Sequence, residues 1–201
     1  MVTKEYSSKD IIEMVELLKN DGVLGVNTDT VMGLAAISTS KKAFDKLVDA
    51  KNRPANKLFP IMVSDLEMME KIAYVSSRDR RIIEKFLPGQ ITLVLKKRDN
   101  SNIIVDSETV AVRIVNDELL IKLVEDLASP IFLTSANKSG ESTTKYASEV
   151  YKIFSGDIEG VLMKDASAYE ASTIVDLTNN DIKILRAGNI SLEDIIRSLE
   201  E

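Results

Sequence analysis

Ile91-Thr-Leu-Val-Leu95, the polar stretch 96–108, Val110-Ala-Val-Arg-Ile-Val115, the helical stretch Glu118–Leu127 and Pro130-Ile-Phe-Leu133 together decide the fold class. The first two apolar runs have strand length and only a polar connector between them, so they predict neighbouring strands joined by a hairpin or a longer loop. The third run follows a helix, which predicts alternation of strand and helix. A chain with both habits predicts an α/β or α+β fold built on a mixed, twisted sheet. It argues against a strictly parallel doubly wound one.

The same reading extends outward. Toward the N-terminus, Ile11, Met14, Val15 and Leu18 share one helical face between Asp10 and Gly22, and 23–26 is a short apolar run predicting a buried strand. Residues 40–50 predict a helix, 60–63 a strand, and 66–73 and 78–86 two helices, the second stopped by Pro88-Gly89. Beyond residue 133, a helix is expected over 146–154, strands over 160–163, 173–177 and 182–185, and a closing helix over 191–199. No repeat, low-complexity tract or linker interrupts the chain, so residues 1–201 are expected to form one domain. Met14, Met32, Met62, Met68, Met69 and Met163 are expected to fill the core.

Composition narrows the chemistry. The chain has no His and no Cys. Disulfides, thiolate nucleophiles, Cys-based metal sites and the usual general base are therefore excluded. An Mg²⁺ ion brought by a nucleotide is still compatible. The lack of Cys fits a reducing cytoplasm, and the polar, acid-containing N-terminus does not read as a secretory signal. No apolar run approaches the ~20 residues needed to cross a bilayer. A formal charge of −6 disfavours nonspecific nucleic-acid binding.

Three polar clusters stand at the ends of apolar runs. Thr28-Asp29-Thr30 precedes Gly33, and its hydroxyls and backbone N–H groups either hold an anion or close a plain turn. Lys51-Asn-Arg53 with Lys57 concentrates cations just after a helix. They serve either the helix dipole or a polyphosphate. Thr134-Ser-Ala-Asn137 with Ser139-Gly140 is either a ligand loop at a strand's carboxyl end or a polar turn. It is neither a P-loop nor a nucleophile elbow. Arg113 lies inside an apolar strand, so it points either to solvent or toward an anion, with Thr109 on its face. Arg186 is another strand-end cation, and Ser172 and Thr173 open a late strand.

In this order, the clusters resemble the YrdC/Sua5 family of threonylcarbamoyl-AMP synthases. The resemblance rests on Thr28-Asp-Thr-Val-x-Gly-Leu34, Lys51-x-Arg-Pro54 with Lys57, Pro88-Gly-x-x-Thr-Leu-Val-Leu95, Val110-Ala-Val-Arg113, Thr134-Ser-Ala-Asn-x-Ser-Gly140, Ser172-Thr-Ile-Val-Asp176 and Leu185-Arg-x-Gly188. It spans about residues 10–190 and fits the family's single-domain form.

The resemblance implies a YrdC-like open sheet with a concave basic face. It also implies a nucleotidyltransferase that makes threonylcarbamoyl-AMP and pyrophosphate from L-threonine, bicarbonate and ATP. Partner proteins would then transfer the threonylcarbamoyl group to adenosine 37 of tRNA. By the same resemblance Lys51 and Arg53 are catalytic; Thr30, Met32, Ser64, Arg113, Leu133 and Ser172 hold threonine; and Lys51, Arg53, Lys57, Thr109, Ser135, Asn137, Thr143 and Arg186 hold ATP. No metal is protein-bound, and Mg²⁺ arrives with ATP.

Some positions depart from the family pattern: Asn27 replaces Pro, Met32 replaces Tyr, Asn52 replaces Gly and Ala187 replaces Pro. Met32 lacks a phenol, so weaker orientation of threonine is expected. Two other readings are an RNA-binding module of this fold without synthase activity, and carbamoyl-adenylate chemistry on another acceptor. The hydrogenase-maturation relatives that perform the latter carry zinc-finger cysteines, which this chain lacks.

Overall fold

Ten strands form one sheet in the order β1-β8-β2-β3-β7-β4-β6-β5-β9-β10. The structure is a computed structural model that describes residues 2–52, 59–168 and 170–200. The strands are β1 (Lys4–Tyr6), β2 (Leu24–Val26), β3 (Gly33–Ile37), β4 (Ile61–Met62), β5 (Ile91–Lys96), β6 (Thr109–Arg113), β7 (Ile131–Ser135), β8 (Gly160–Leu162), β9 (Thr173–Asp176) and β10 (Lys183–Arg186). The helices are α1 (Ile11–Lys19), α2 (Lys41–Lys51), α3 (Leu66–Ile72), α4 (Ser77–Phe86), α5 (Glu118–Leu127), α6 (Ala147–Phe154) and α7 (Leu192–Glu200).

The sheet is mixed, as expected. β5 and β6 pair antiparallel across the 96–108 connector, and β4 runs parallel to β6 and antiparallel to β7. Two strands fall where no element was expected. β1 is three residues long with only Tyr6 buried, so it carries no apolar alternation. β3, Gly-Leu-Ala-Ala-Ile, opens on Gly and is rich in Ala, both weak strand formers. It forms because β2 and β7 flank it and all but Ile37 is buried. Gly33 permits that approach, since a Cβ there would come within 2.9 Å of the Leu133 side chain.

Side chains on alternating strand positions feed two cores. One face carries Leu34, Ile61, Leu93, Val112, Phe132 and Val175, packed with residues of α2, α3, α4 and α6. Phe44, Phe59 and Phe132 meet there with ring centroids 5.5–5.9 Å apart, fixing α2 on β7. The opposite face carries Leu24, Ala35, Met62 and Ile131, covered by Met14, Val15 and Leu18 of α1 and by Leu120, Leu123 and Val124 of α5. Met14, Met32, Met62 and Met69 are core residues; Met163 is exposed, which corrects the core expectation for that position. Helix starts are fixed locally: Ser40, Asp65, Ser76 and Asp117 accept N-terminal amides, with Ser76 and Asp79 closing a capping box, each cap contributing about 1 kcal/mol.

α1 and α5 cover only one half of their face. On the β7-β4-β6-β5-β9-β10 half, the residues pointing the same way are Thr92, Val94, Thr109, Ala111, Arg113, Leu133, Ser135, Ser172, Ile174 and Arg186, and they line a cavity of about 360 Å³.

Candidate active site

Arg113 ends β6 on the floor of this cavity, and the protein surrounds its guanidinium with acceptors. Its Nε donates to the Gly89 carbonyl at 2.9 Å, one Nη to Thr30 Oγ1 at 3.2 Å and the other to Asp29 Oδ1 at 2.6 Å. Arg113 and Asp29 are buried, at 8% and 7% exposure. Burial pushes the guanidinium pKa down, and the Asp29 carboxylate offsets only part of that shift. A guanidinium has five N–H donors, so these three bonds leave two N–H groups on the Nη atoms of a residue that lines the cavity. That is the arrangement for forking a carboxylate. The other oxygen of Asp29 is buried without a partner, so the pair is held tightly on one side only.

The turn before β3 sets Thr30 in place. Thr28 Oγ1 donates to the Val31 carbonyl, accepts the Thr30 N–H at 3.0 Å and lies 2.9 Å from Thr30 Oγ1. Gln90 braces the same turn, donating to the Asp29 carbonyl at 2.7 Å. Thr28-Asp29-Thr30 is therefore a turn and a site at once. Sequence reading singled out the cluster but assigned no role to Asp29, Gln90 or Thr92. A lone Arg within an apolar strand demands a buried counter-ion, and that demand was the available signal for Asp29.

Across the cavity, Ser172 and Thr92 share a hydroxyl contact of 2.9 Å. Arg186 donates to the Ser172 carbonyl from Nε and Nη2 at 3.0 and 2.8 Å and to its hydroxyl at 3.1 Å. Partial burial pushes the Arg186 pKa down. A bulge aims this arginine. Ile184 pairs with Val175, but Arg186 rather than Leu185 pairs with cavity-facing Ile174. The extra residue turns Arg186 onto the cavity and leaves Leu185 58% exposed. Gly188 lets the following turn close over β9, since a Cβ there would come within 2.6 Å of the Thr173 nitrogen.

Of the expected site residues, Thr30, Met32, Thr109, Arg113, Leu133, Ser135, Ser172 and Arg186 line the cavity. Met32 does so with no exposed surface and belongs to the core with Leu34 and Ala36. An aromatic side chain here would have to be accommodated within that core. Ser64 is buried outside the lining and donates to Asp65 Oδ2 at 2.7 Å. Thr143 is exposed and outside the lining, which removes it from the described cavity. Arg53 and Lys57 lie outside the described residues.

Lys51 and Asn137 also stand outside the lining. Lys51 is 2% exposed, and its ammonium donates to the carbonyls of Ser135 and Asn137 and to Asn137 Oδ1. Asn137 Oδ1 also accepts the Ser135 hydroxyl at 2.6 Å. Of Lys51, Arg53, Ser135, Asn137 and Arg186, expected to converge on one concave face, Ser135 and Arg186 line the cavity, Lys51 and Asn137 bond to Ser135 from outside the lining, and Arg53 lies outside the described residues.

Among the described residues, no group of three or more His, Cys, Asp or Glu side chains could hold a metal. No described helix is long and apolar enough to cross a membrane. What the cavity offers is two inward-facing arginines, several hydroxyls and an apolar wall of Phe59, Pro60 and Ile61. Such a surface suits small anions with a planar or aliphatic part.

Comparisons with known proteins identify the family and the fold. Residues 16–188 match the Sua5/YciO/YrdC family, described as "Telomere recombination". A Methanocaldococcus jannaschii protein is 30% identical over 198 residues, which cover 96% of this chain and 94% of that protein. Threonylcarbamoyl-AMP synthases of Pyrococcus abyssi and Bacillus subtilis are 33% and 28% identical, and the chain spans 52% and 58% of their lengths. The crystal structure of P. abyssi Sua5 complexed with L-threonine superimposes with a TM-score of 0.90 at 29% identity, covering 98% of this chain and 61% of that one. Escherichia coli YciO, at 19% identity and a TM-score of 0.88, shares the fold. With a family match over most of its length, this chain belongs to the Sua5/YciO/YrdC family.

Proposed function

We propose that this protein is an L-threonylcarbamoyladenylate synthase that condenses L-threonine, bicarbonate and ATP and releases pyrophosphate. The observation that carries the reading is Arg113, buried on the cavity floor with two N–H groups unspent, in a chain that superimposes on a relative crystallised with L-threonine. Arg113 anchors the threonine carboxylate, with Thr30 and the Ser172 hydroxyl beside it. Ser135 and Arg186, which also line the cavity, are assigned to the nucleotide phosphates, and Arg53 and Lys57 are assigned to them by the family motif alone. Arg113 and Arg186 in the lining support the reading of this face as basic. ATP enters with Mg²⁺ on its phosphates.

The chemistry accounts for the residue types. The threonine amine attacks the carbon of bicarbonate, water leaves, and an N-carboxylate forms. An oxygen of that carboxylate attacks the α-phosphorus of ATP and pyrophosphate departs. Every reactant is an anion or carries one. Fixed cations and oriented N–H donors lower the Coulomb cost of their approach, and neither a thiolate nor an imidazole is required.

The product is the activated donor for threonylcarbamoylation of adenosine 37 of tRNA by partner proteins in the cytoplasm. Residues 1–201 act as one YrdC-like domain, supported by a single sheet that gathers strands from β1 to β10. The synthase reading is favoured over an RNA-binding module because the arginines line a cavity of about 360 Å³, a size that suits small-molecule anions. The test is pyrophosphate release from Mg-ATP with threonine and bicarbonate omitted in turn. Release that needs both supports the reading; release of phosphate, or indifference to threonine, overturns it.

A further inference from the structure

We propose that Lys51 is a positioning residue, an internal strut that joins the end of α2 to the Ser135–Gly140 loop, rather than a ligand of the nucleotide phosphates. The inference deepens the synthase reading, since it assigns how the Ser135–Gly140 loop of that site is held against the end of α2.

Lys51 is the last residue of α2 and is among the largest side chains withdrawn from solvent. A buried ammonium is costly unless oxygen atoms replace its hydration. The Ser135–Gly140 loop supplies them: the ammonium donates to the carbonyls of Ser135 and Asn137 and reaches Asn137 Oδ1 at 3.4 Å. A lysine has three N–H donors, and three oxygens of one loop surround it. The same loop answers in the other direction. The Ser139 N–H donates to the Lys51 carbonyl at 2.9 Å, and the Lys138 ammonium donates to the Ala50 carbonyl at 2.8 Å. The carbonyls left open at the end of α2 are thereby capped by the loop.

Asn137 carries the constraint through the rest of the turn. Its amide nitrogen donates to the carbonyls of Lys138 and Glu141 at 3.0 and 2.7 Å, while its Oδ1 fixes the hydroxyl of Ser135, which lines the cavity. Asn52, directly after Lys51, takes a left-handed conformation with φ of 49° and starts the segment that contains Arg53 and Lys57. One side chain thus ties the end of α2 to the loop that presents Ser135. A flexible chain that carried its charge to phosphate would be expected at the cavity wall. Lys51 is behind it.

The test uses Lys51→Met, which keeps the length and removes the ammonium, and measures backbone hydrogen exchange in the protein without nucleotide. Exchange at Ser139 and Glu141, whose N–H groups bond to Lys51 and Lys138 carbonyls, should accelerate about tenfold or more, with β5 and β6 unchanged. Asn137→Ala should loosen the same amides, and the double variant should be no looser than either single one. In catalysis the ATP KM should rise while the threonine KM holds. Unchanged exchange at these amides in Lys51→Met overturns the proposal. Should that variant lose protection across the whole sheet, Asn137→Ala decides, and unchanged exchange at Ser139 and Glu141 there also overturns it. Because exchange is read without substrate, a protein that releases no pyrophosphate would refute the synthase reading and leave the strut to its own test.

Discussion

Replacing Arg113 by Met strands a carboxylate in the protein interior. Asp29 is 7% exposed and its Oδ1 loses the 2.6 Å contact, while its other oxygen already has no partner. Breaking a buried pair by removing one member costs about 3–5 kcal/mol, because an uncompensated charge remains. The Gly89 carbonyl and the Thr30 hydroxyl lose donors as well, adding about 1 kcal/mol each at most. Replacing Asp29 by Asn in the Arg113→Met background removes the stranded charge and should return about 2–3 kcal/mol, so the double variant is more stable than the sum of the single costs requires. Urea unfolding of the four proteins at neutral pH gives the cycle, provided the m-values agree. Additive costs, within about 0.5 kcal/mol, would show that Asp29 does not hold Arg113 and that the guanidinium is placed by something else.

Arg113→Met, if folded, should raise the threonine KM by one to two orders of magnitude, the equivalent of about 1.5–3 kcal/mol for a charged hydrogen-bonded contact; the ATP KM should stay within about twofold, and equal effects on both would contradict the placement. Gly33→Val should cost about 1–3 kcal/mol by overpacking against Leu133 and the Thr134 carbonyl, read as a lower urea midpoint with an unchanged slope. Burial works to raise the Asp117 pKa, but the Lys164 ammonium, the Leu120 N–H and the Asn27 amide outweigh it and hold the carboxyl below its ordinary value. A lowered folded pKa stabilises above the unfolded pKa and loses that stability as pH falls through the folded one. Asp117→Asn should therefore be less stable than the parent at neutral pH, with the gap closing in acid; a gap independent of pH would contradict the linkage.

What could be read in the sequence differed with the range of the forces involved. Arg113 stood out because an apolar strand leaves a lone cation few places to go, and the structure gives it a buried partner. The mixed sheet was legible because 91–115 contains two strand-like runs without a helix between them, and β5 and β6 do pair antiparallel. β3 was not legible, since Gly33-Leu-Ala-Ala-Ile37 gains its strand conformation from β2 and from β7, where Gly33 pairs with Ser135, 102 positions later. Strand order was hidden for the same reason: β8 slips between β1 and β2. The cations illustrate the limit most clearly. Lys51 and Arg186 both read as cations at element ends. One is turned inward by the oxygens of a distant loop, and the other is turned onto the cavity by a single extra residue in β10. Residue type alone does not encode either direction.

The most direct test of the central claim is to follow the carbon of isotope-labelled bicarbonate in the presence of Mg-ATP and L-threonine. The label should appear in an adenylate whose mass is that of threonylcarbamoyl-AMP, with one pyrophosphate released for each one formed. Formation of threonyl-adenylate without the label, or of ADP in place of pyrophosphate, would contradict the assignment of this cavity to threonylcarbamoyl-AMP synthesis.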